Sequence, residues 1–170
     1  MEKVKNIYAD LYEYVEKVTE GRDETHGILH MNTVTRNAMQ ILVENKDLSE
    51  IDLLIEKAFE KGIEKEMIED VLIVAMLHDV SDHKYDRDGS LGKQLENFLF
   101  KYTNQNEKRS SCLIKIIEYI SYSKENKAIE SNKPLDFVEL LGEKGKQIFL
   151  FLLKFSFEIN RFSSFGQDLK

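Results

Sequence analysis

Apolar residues recur every three or four positions along most of this chain, and this spacing is the feature that most limits its fold. Val4, Ile7, Leu11 and Val15 form the first such row, and similar rows follow as far as about residue 160. A period near 3.6 residues gives an α-helix one apolar face that is buried against its neighbours. Alternation of β-branched and polar residues over five or more positions, which would indicate strands, is absent. We therefore predict an all-α fold, a compact bundle of five or more helices.

The pattern also predicts where the helices lie. A second helix follows an N-cap at Asp23 or Thr25, because a short side-chain oxygen there accepts an N–H group that has no partner within the helix. The other predicted helices span residues 4–18, 51–61, 64–78, 91–102, 109–121 and 135–160. The helix over 64–78 is apolar on nearly every side, so we expect it at the centre of the bundle. With no repeat or linker in the sequence, we predict a single domain over 1–170, with its core at about 20–160 and a frayed tail at 161–170.

Composition excludes several classes of protein. The chain has 24 Lys and Arg against 31 Asp and Glu, a net charge of −7, which disfavours a duplex nucleic acid as partner. No apolar run reaches the roughly 18 residues that a membrane span needs, so no membrane partner is expected. Cys112 is the only cysteine, so an intramolecular disulfide is impossible. With no export signal at the N-terminus, we expect a cytoplasmic protein.

The four histidines are clustered in two short segments, and this is the most informative chemical feature of the chain. His26 and His30 are four residues apart, so on a helix they would project from one face, although such a pair is more often solvated surface. His78 and Asp79 end the nearly all-apolar helix. Burying an imidazole and a carboxylate together is costly unless a cation satisfies both. A divalent metal would do so, whereas a simple helix C-cap would favour His78 but not Asp79.

Two longer motifs contain these histidines. DETHGILHMNTVTRNA at 23–38 resembles the pattern D-x-[ST]-H-x-x-x-H-x-x-x-V-x-x-N-A, and AMLHDVSDHKY at 75–85 resembles A-x-L-H-D-[IV]-x-D-x-K-[FY]. Both patterns are found in small bacterial and viral members of the HD superfamily of metal-dependent phosphohydrolases. ISYSKE at 120–125 is similar to a serine-lysine segment of the same proteins. The resemblance covers about 23–145 and implies an HD-domain architecture.

The resemblance also implies a metal centre. DFVELLGEKG at 136–145 is similar to the family segment D-A-D-[RK]-L-[DE]-A-[IL]-G-x-x-G, whose second Asp binds metal, although Pro134, Leu135 and Phe137 depart from that pattern. One divalent ion, Mn²⁺, Mg²⁺, Fe²⁺ or Zn²⁺, is the implied cofactor. The implied metal ligands are His30, His78, Asp79 and Asp136.

Further residues receive roles on the same basis. Asp79, Asp82 and His26 are the implied catalytic residues: Asp82 would orient or deprotonate water, and His26 would bind phosphate or transfer a proton. Asp82 as a loop cap and His26 as a surface residue are the structural alternatives. The basic residues Arg36, Lys84 and Lys124 are the implied substrate-binding groups, because a phosphate needs several donors.

The expected function is therefore hydrolysis of a phosphate ester or anhydride in a small phosphorylated, nucleotide-like substrate, by a nucleotide pyrophosphohydrolase or a nucleotidase. Two alternatives are left open. One is a catalytically impaired, ligand-binding or regulatory HD-fold protein with an altered fourth ligand, and the other is a helical interaction module. The apolar residues near the C-terminus leave a homodimer open as well.

Overall fold

The computed structural model of the protein describes residues 1–82 and 84–120, which form six α-helices and no β-strand. The helices are α1 (Glu2–Val18), α2 (Ile28–Leu42), α3 (Ile51–Glu60), α4 (Lys65–Leu77), α5 (Ser90–Tyr102) and α6 (Glu107–Ile120). The all-α prediction is confirmed for these residues, and the predicted helices near 4–18, 51–61, 64–78, 91–102 and 109–121 agree with α1 and α3 to α6 within a few positions. The predicted helix over 135–160 and the tail at 161–170 lie outside the described residues.

Helix α4 is the centre of the bundle, as its sequence predicted. Every residue from Ile68 to Leu77 is buried, and the helix packs against α1, α2, α3 and α6. A helix surrounded in this way has no face on which exposed polar residues could lie, which explains why its sequence is nearly continuously apolar. Full burial of each large aliphatic side chain contributes about 2 kcal/mol, so α4 anchors the elements around it.

The start of α2 differs from the prediction. The helix begins at Ile28, and its N-cap is Gly27 in an extended conformation, with φ −93° and ψ −178°. Asp23 and Thr25 lie in the turn before it, where the Asp23 carboxylate accepts hydrogen bonds from the Thr25 main chain and side chain instead of from a helical N–H group. The predicted N-cap was therefore wrong, and His26 and His30 do not share one helix face.

Two carboxylates of α4 fix the position of α6. The Arg109 guanidinium donates to Asp70 at 2.6 and 2.9 Å and to Glu69 at 3.1 Å. Asp70 and Glu69 are only 2% and 6% exposed, and burial raises the pKa of Asp70 to about 6 even though Arg109 favours its charged form. A buried pair of this kind is costly to break, because loss of one partner leaves an uncompensated charge.

The loop between α4 and α5 is held by Asp86. Its carboxylate accepts hydrogen bonds from the main-chain N–H groups of Leu91 at 2.9 Å and Gly92 at 2.8 Å, in the first turn of α5. These N–H groups have no partner within the helix, so the side chain stabilises both the start of α5 and the return of the loop.

Over the described part of the chain, no helix is both long and apolar enough to cross a bilayer.

Candidate functional site

The turn before α2 and the turn after α4 meet at one end of the packed α2–α4 pair. His30 lies in the first turn of α2, and His78 is the C-cap of α4. Their ring centroids are 5.4 Å apart and the ring planes are tilted by 53°. With His26 and Asp79, they form what we call the histidine cluster, which joins two segments that are about 50 residues apart in the sequence.

The orientation of His78 is fixed by the helix that it ends. Its Nδ1 lies 2.9 Å from the carbonyl oxygen of Ala75, which only accepts, so Nδ1 carries the proton and donates. Burial lowers the pKa of His78, which favours the neutral ring. In the neutral ring with Nδ1 protonated, Nε2 has a free lone pair, the form in which a histidine binds a metal or accepts a proton.

His30 is also held in its neutral form. Burial, together with the neighbouring His78 ring, lowers the pKa of His30 from 6.5 to about 4. Near neutral pH, the two imidazoles of His30 and His78 are therefore uncharged and do not repel each other. Each of these two neutral rings has one nitrogen lone pair that is available to bind a metal ion.

Asp79 provides the carboxylate of the cluster. Its side chain is 16% exposed, and burial, followed by the nearby charge of Asp82, raises its pKa above the ordinary value. Its main-chain carbonyl accepts a hydrogen bond from Nη1 of Arg22 at 3.0 Å, and the adjacent Val80 carbonyl accepts from Nη2 at 2.7 Å. The turn that carries Asp79 is thus fixed through its main chain, which leaves the carboxylate oriented into the cluster.

His26 reaches the cluster from the turn before α2. Its Nε2 lies 3.9 Å from Oδ2 of Asp79, a distance at which the groups attract when His26 is protonated but do not form a hydrogen bond. On the other side of the ring, Nδ1 lies 2.9 Å from Oδ1 of Asp23. The imidazole therefore lies between a carboxylate of its own turn and the carboxylate of the turn after α4.

The histidine cluster contains the types of ligand that divalent metals bind. Neutral imidazole nitrogen and carboxylate oxygen are ligands of Mn²⁺, Fe²⁺ and Zn²⁺, and imidazoles that share one ion have centroids roughly 5 Å apart, because each nitrogen lies about 2.1 Å from it. The separation of His30 and His78 agrees with this. Within residues 1–82 and 84–120, however, no three His, Cys, Asp or Glu side chains lie close enough together to hold an ion.

The other predicted site residues are distributed differently. Asp82 follows the cluster, and its carboxylate accepts the Lys84 main-chain N–H at 2.8 Å, as a loop-capping residue does. Lys84 itself is exposed, and Arg36 lies about 9 Å further along α2 than His30. The side chains of Lys84 and Arg36 make no hydrogen bond or ion pair with the cluster in the described structure. Asp136 and Lys124 lie outside the described residues.

Sequence reasoning missed Arg22 and underestimated Tyr85. The Arg22 guanidinium lies over the Tyr85 ring at 4.3 Å from its centroid, and the Tyr85 hydroxyl donates to Oδ2 of Asp23 at 2.7 Å. The His26 and Tyr85 ring centroids are 5.5 Å apart. The only sequence signal for Arg22 was its position beside Asp23. Its acceptors are main-chain carbonyl groups, which every residue carries, so no residue type indicates them.

Comparison of the chain with protein-family models, with curated proteins and with solved structures gave no match.

Proposed function

We propose that the protein is an HD-type, metal-dependent phosphohydrolase that cleaves a phosphate ester or anhydride of a small, nucleotide-like substrate. The proposal rests on the HD-like motifs and on one observation above all, the approach of His30 to His78–Asp79. The rings of His30 and His78, which come from separate parts of the chain, lie 5.4 Å apart, and the charge of Asp79 acts on the pKa of His30. Outside a ligand site, little would be gained by placing these groups together at a helix end.

In this proposal, His30, His78 and Asp79 hold one divalent ion together with Asp136, which the motif at 136–145 assigns to the same role. When bound, the ion would act as a Lewis acid toward a phosphoryl oxygen and an attacking water. The protein's own contribution is to present two uncharged nitrogens and to keep the Asp79 turn in place through Arg22. The loss of any of the four ligands should weaken metal binding and hydrolysis together.

The remaining groups have separate tasks. His26 directs Nε2 toward Asp79, where the ring, when Nε2 carries a proton in addition to the one on Nδ1, would bind or protonate a phosphate oxygen. Asp82 would orient the water through its position three residues after Asp79. Arg36, Lys84 and Lys124 are proposed as phosphate-binding groups, since a polyphosphate carries several negative oxygens. This division of tasks follows the HD resemblance.

The test combines metal content with turnover. We expect the purified 170-residue chain to retain about one equivalent of Mn, Fe, Zn or Mg by elemental analysis, and to release pyrophosphate or orthophosphate from members of a nucleotide panel with Mn²⁺. Asp79→Asn should abolish both properties. Asp88→Asn is the matched control, because Asp88 is an exposed carboxylate of the same loop.

Two outcomes would contradict the proposal. A chain that binds a nucleotide but neither retains metal nor hydrolyses the nucleotide would favour the non-catalytic HD-fold alternative. A chain that binds neither, with Asp79→Asn as stable as the parent, would favour a helical interaction module. The identity of the released phosphate distinguishes a nucleotide pyrophosphohydrolase from a nucleotidase.

A further inference from the structure

Asp23 is an exposed loop residue, yet its carboxylate is the acceptor of several hydrogen bonds. Oδ1 accepts from the Thr25 main-chain N–H at 2.9 Å and from the Thr25 hydroxyl, and it lies 2.9 Å from Nδ1 of His26. Oδ2 accepts from the Tyr85 hydroxyl at 2.7 Å. The side chain is nonetheless 57% exposed. Donors from both turns of the site therefore converge on one surface carboxylate.

These contacts determine which ring nitrogen of His26 carries a proton. A carboxylate with this many donors remains ionised, and its pKa lies well below the ordinary value because of the Thr25, Tyr85 and His26 hydrogen bonds. An ionised carboxylate can only accept, so a nitrogen at 2.9 Å from it must be a donor. The Thr25 hydroxyl lies 2.8 Å from the same Nδ1, but its proton is already donated to Asp23, so its oxygen is an acceptor too.

The position of the second ring nitrogen follows. With Nδ1–H directed at Asp23, the opposite side of the ring places Nε2 toward Asp79, at 3.9 Å from Oδ2. Tyr85 lies beside the ring, and its hydroxyl donates to the other oxygen of Asp23, so rotation of the carboxylate away from His26 would also cost its hydrogen bonds with Thr25 and Tyr85. The orientation of His26 is thus set from outside the histidine cluster.

We propose that Asp23 is a positioning residue that fixes the tautomer and orientation of His26, so that Nε2 is the ring nitrogen offered to a ligand bound beside Asp79. A carboxylate that orients a functional imidazole in this way is a recurring arrangement in enzymes. The tautomer follows from the contacts of the Asp23 carboxylate. Its importance for turnover rests on the proposed phosphohydrolase function.

The tautomer is tested by NMR on the 170-residue, ¹⁵N-labelled protein in EDTA at pH 8. We expect the His26 signals, assigned by their loss in His26→Gln, to show a protonated Nδ1 and an unprotonated Nε2. In Asp23→Asn, the Nε2–H form should become substantially populated. Glu24→Gln, which neutralises the adjacent exposed acid, should leave the signals unchanged. A parent protein with protonated Nε2, or an Asp23→Asn variant with unchanged signals, would overturn the proposal.

The second measurement concerns turnover on whichever panel nucleotide the parent hydrolyses. Asp23→Asn should lower kcat by about 100-fold, the scale of a displaced acid or base, with KM changed less than about 3-fold. Glu24→Gln should match the parent. If Asp23→Asn alters the tautomer but leaves kcat unchanged, Asp23 has no role in turnover. If no nucleotide is hydrolysed, the proposed function fails, while the NMR result still decides whether Asp23 positions His26.

Discussion

Arg22 connects the two turns of the site through main-chain atoms. It donates to the carbonyl oxygens of Asp79 and Val80, which lie 57 and 58 positions further along the chain, and it stacks on Tyr85. These carbonyl groups follow the end of α4 and have no helical partner, so a forked cation is well suited to satisfy both. Arg22 therefore ties the turn that carries Asp79 to the segment that carries His26.

We predict that Arg22→Lys destabilises the protein by about 1.5 kcal/mol, because an ammonium group cannot donate to both carbonyl groups in the planar geometry of a guanidinium. Urea denaturation of the two proteins measures the difference. Arg87→Lys, at an exposed position in the loop before α5, is the control and should change the free energy of unfolding by less than about 0.5 kcal/mol. Equal effects of the two substitutions would refute the role assigned to Arg22.

At the scale of single residues, groups with distinctive chemistry could be recognised in the sequence. Residues whose role depends on their position in the fold could not. His78 and Asp79 stood out because an imidazole and a carboxylate follow an apolar helix. Asp23 was assigned as an N-cap because the residue type and its place before an apolar helix fit that role. Only the folded chain brings Tyr85 and His26 to its carboxylate.

Among the elements, the helix ends show where local sequence and conformation agree and where they conflict. After α3, Gly62 adopts φ +72°, and the N–H groups of Gly62 and Ile63 donate to the carbonyl groups of Phe59 and Ala58. This arrangement closes a helix with a residue in the left-handed region, where glycine is unstrained. After α2, the same pattern of hydrogen bonds places Glu44 at φ +51°.

We predict that Glu44→Gly stabilises the protein by about 1 kcal/mol, because it relieves the contact of Cβ with the main chain at positive φ. The control is Glu44→Ala, which removes the same exposed ion pair with Lys61 at 3.0 Å but keeps a Cβ atom. That variant should remain within about 0.5 kcal/mol of the parent. Thermal or urea unfolding provides the measurement, and an equal gain in both variants would assign the effect to the lost charge instead.

The helices themselves were predictable because the apolar period is a property of the chain. Helix α4 was identified as central from its uninterrupted apolar positions, and burial from Ile68 to Leu77 confirms it. The start of α2 was not predictable in this way. Asp23, Thr25 and Gly27 are all acceptable N-cap residues; in the folded chain Gly27 is the N-cap, and the Asp23 carboxylate accepts from Thr25 and Tyr85 instead.

For the whole molecule, buried ionisable groups make stability depend on pH in opposite directions. The lowered pKa of His30, about 4 instead of 6.5, means that the folded state binds fewer protons than the unfolded chain between these values. This contribution to stability is present above pH 6.5 and is lost as the pH falls. Asp70, with its pKa raised to about 6, binds more protons when folded, so its contribution is lost as the pH rises through that value.

The free energy of unfolding should rise between pH 4.5 and pH 7 in the parent. We predict that this rise is smaller in His30→Gln by about 2 kcal/mol, a value discounted for the partial exposure of the ring. Urea denaturation at both pH values in EDTA measures it, so that metal binding does not contribute. The opposite sign is expected for Asp70→Asn, whose gain between the two pH values should exceed that of the parent. Parallel stability curves for parent and His30→Gln would show that the ring is not desolvated.

The sequence by itself determined the helical class, the central helix and the two segments that carry the histidines, because apolar period and residue chemistry are local properties. Which groups meet was decided by the tertiary structure. Packing of α2 against α4 brings His30 to His78, and the turn before α2 gives His26 to Asp23 on one side and Asp79 on the other. Contacts between segments about 50 residues apart depend on how the helices are buried together, and no local pattern encodes that geometry.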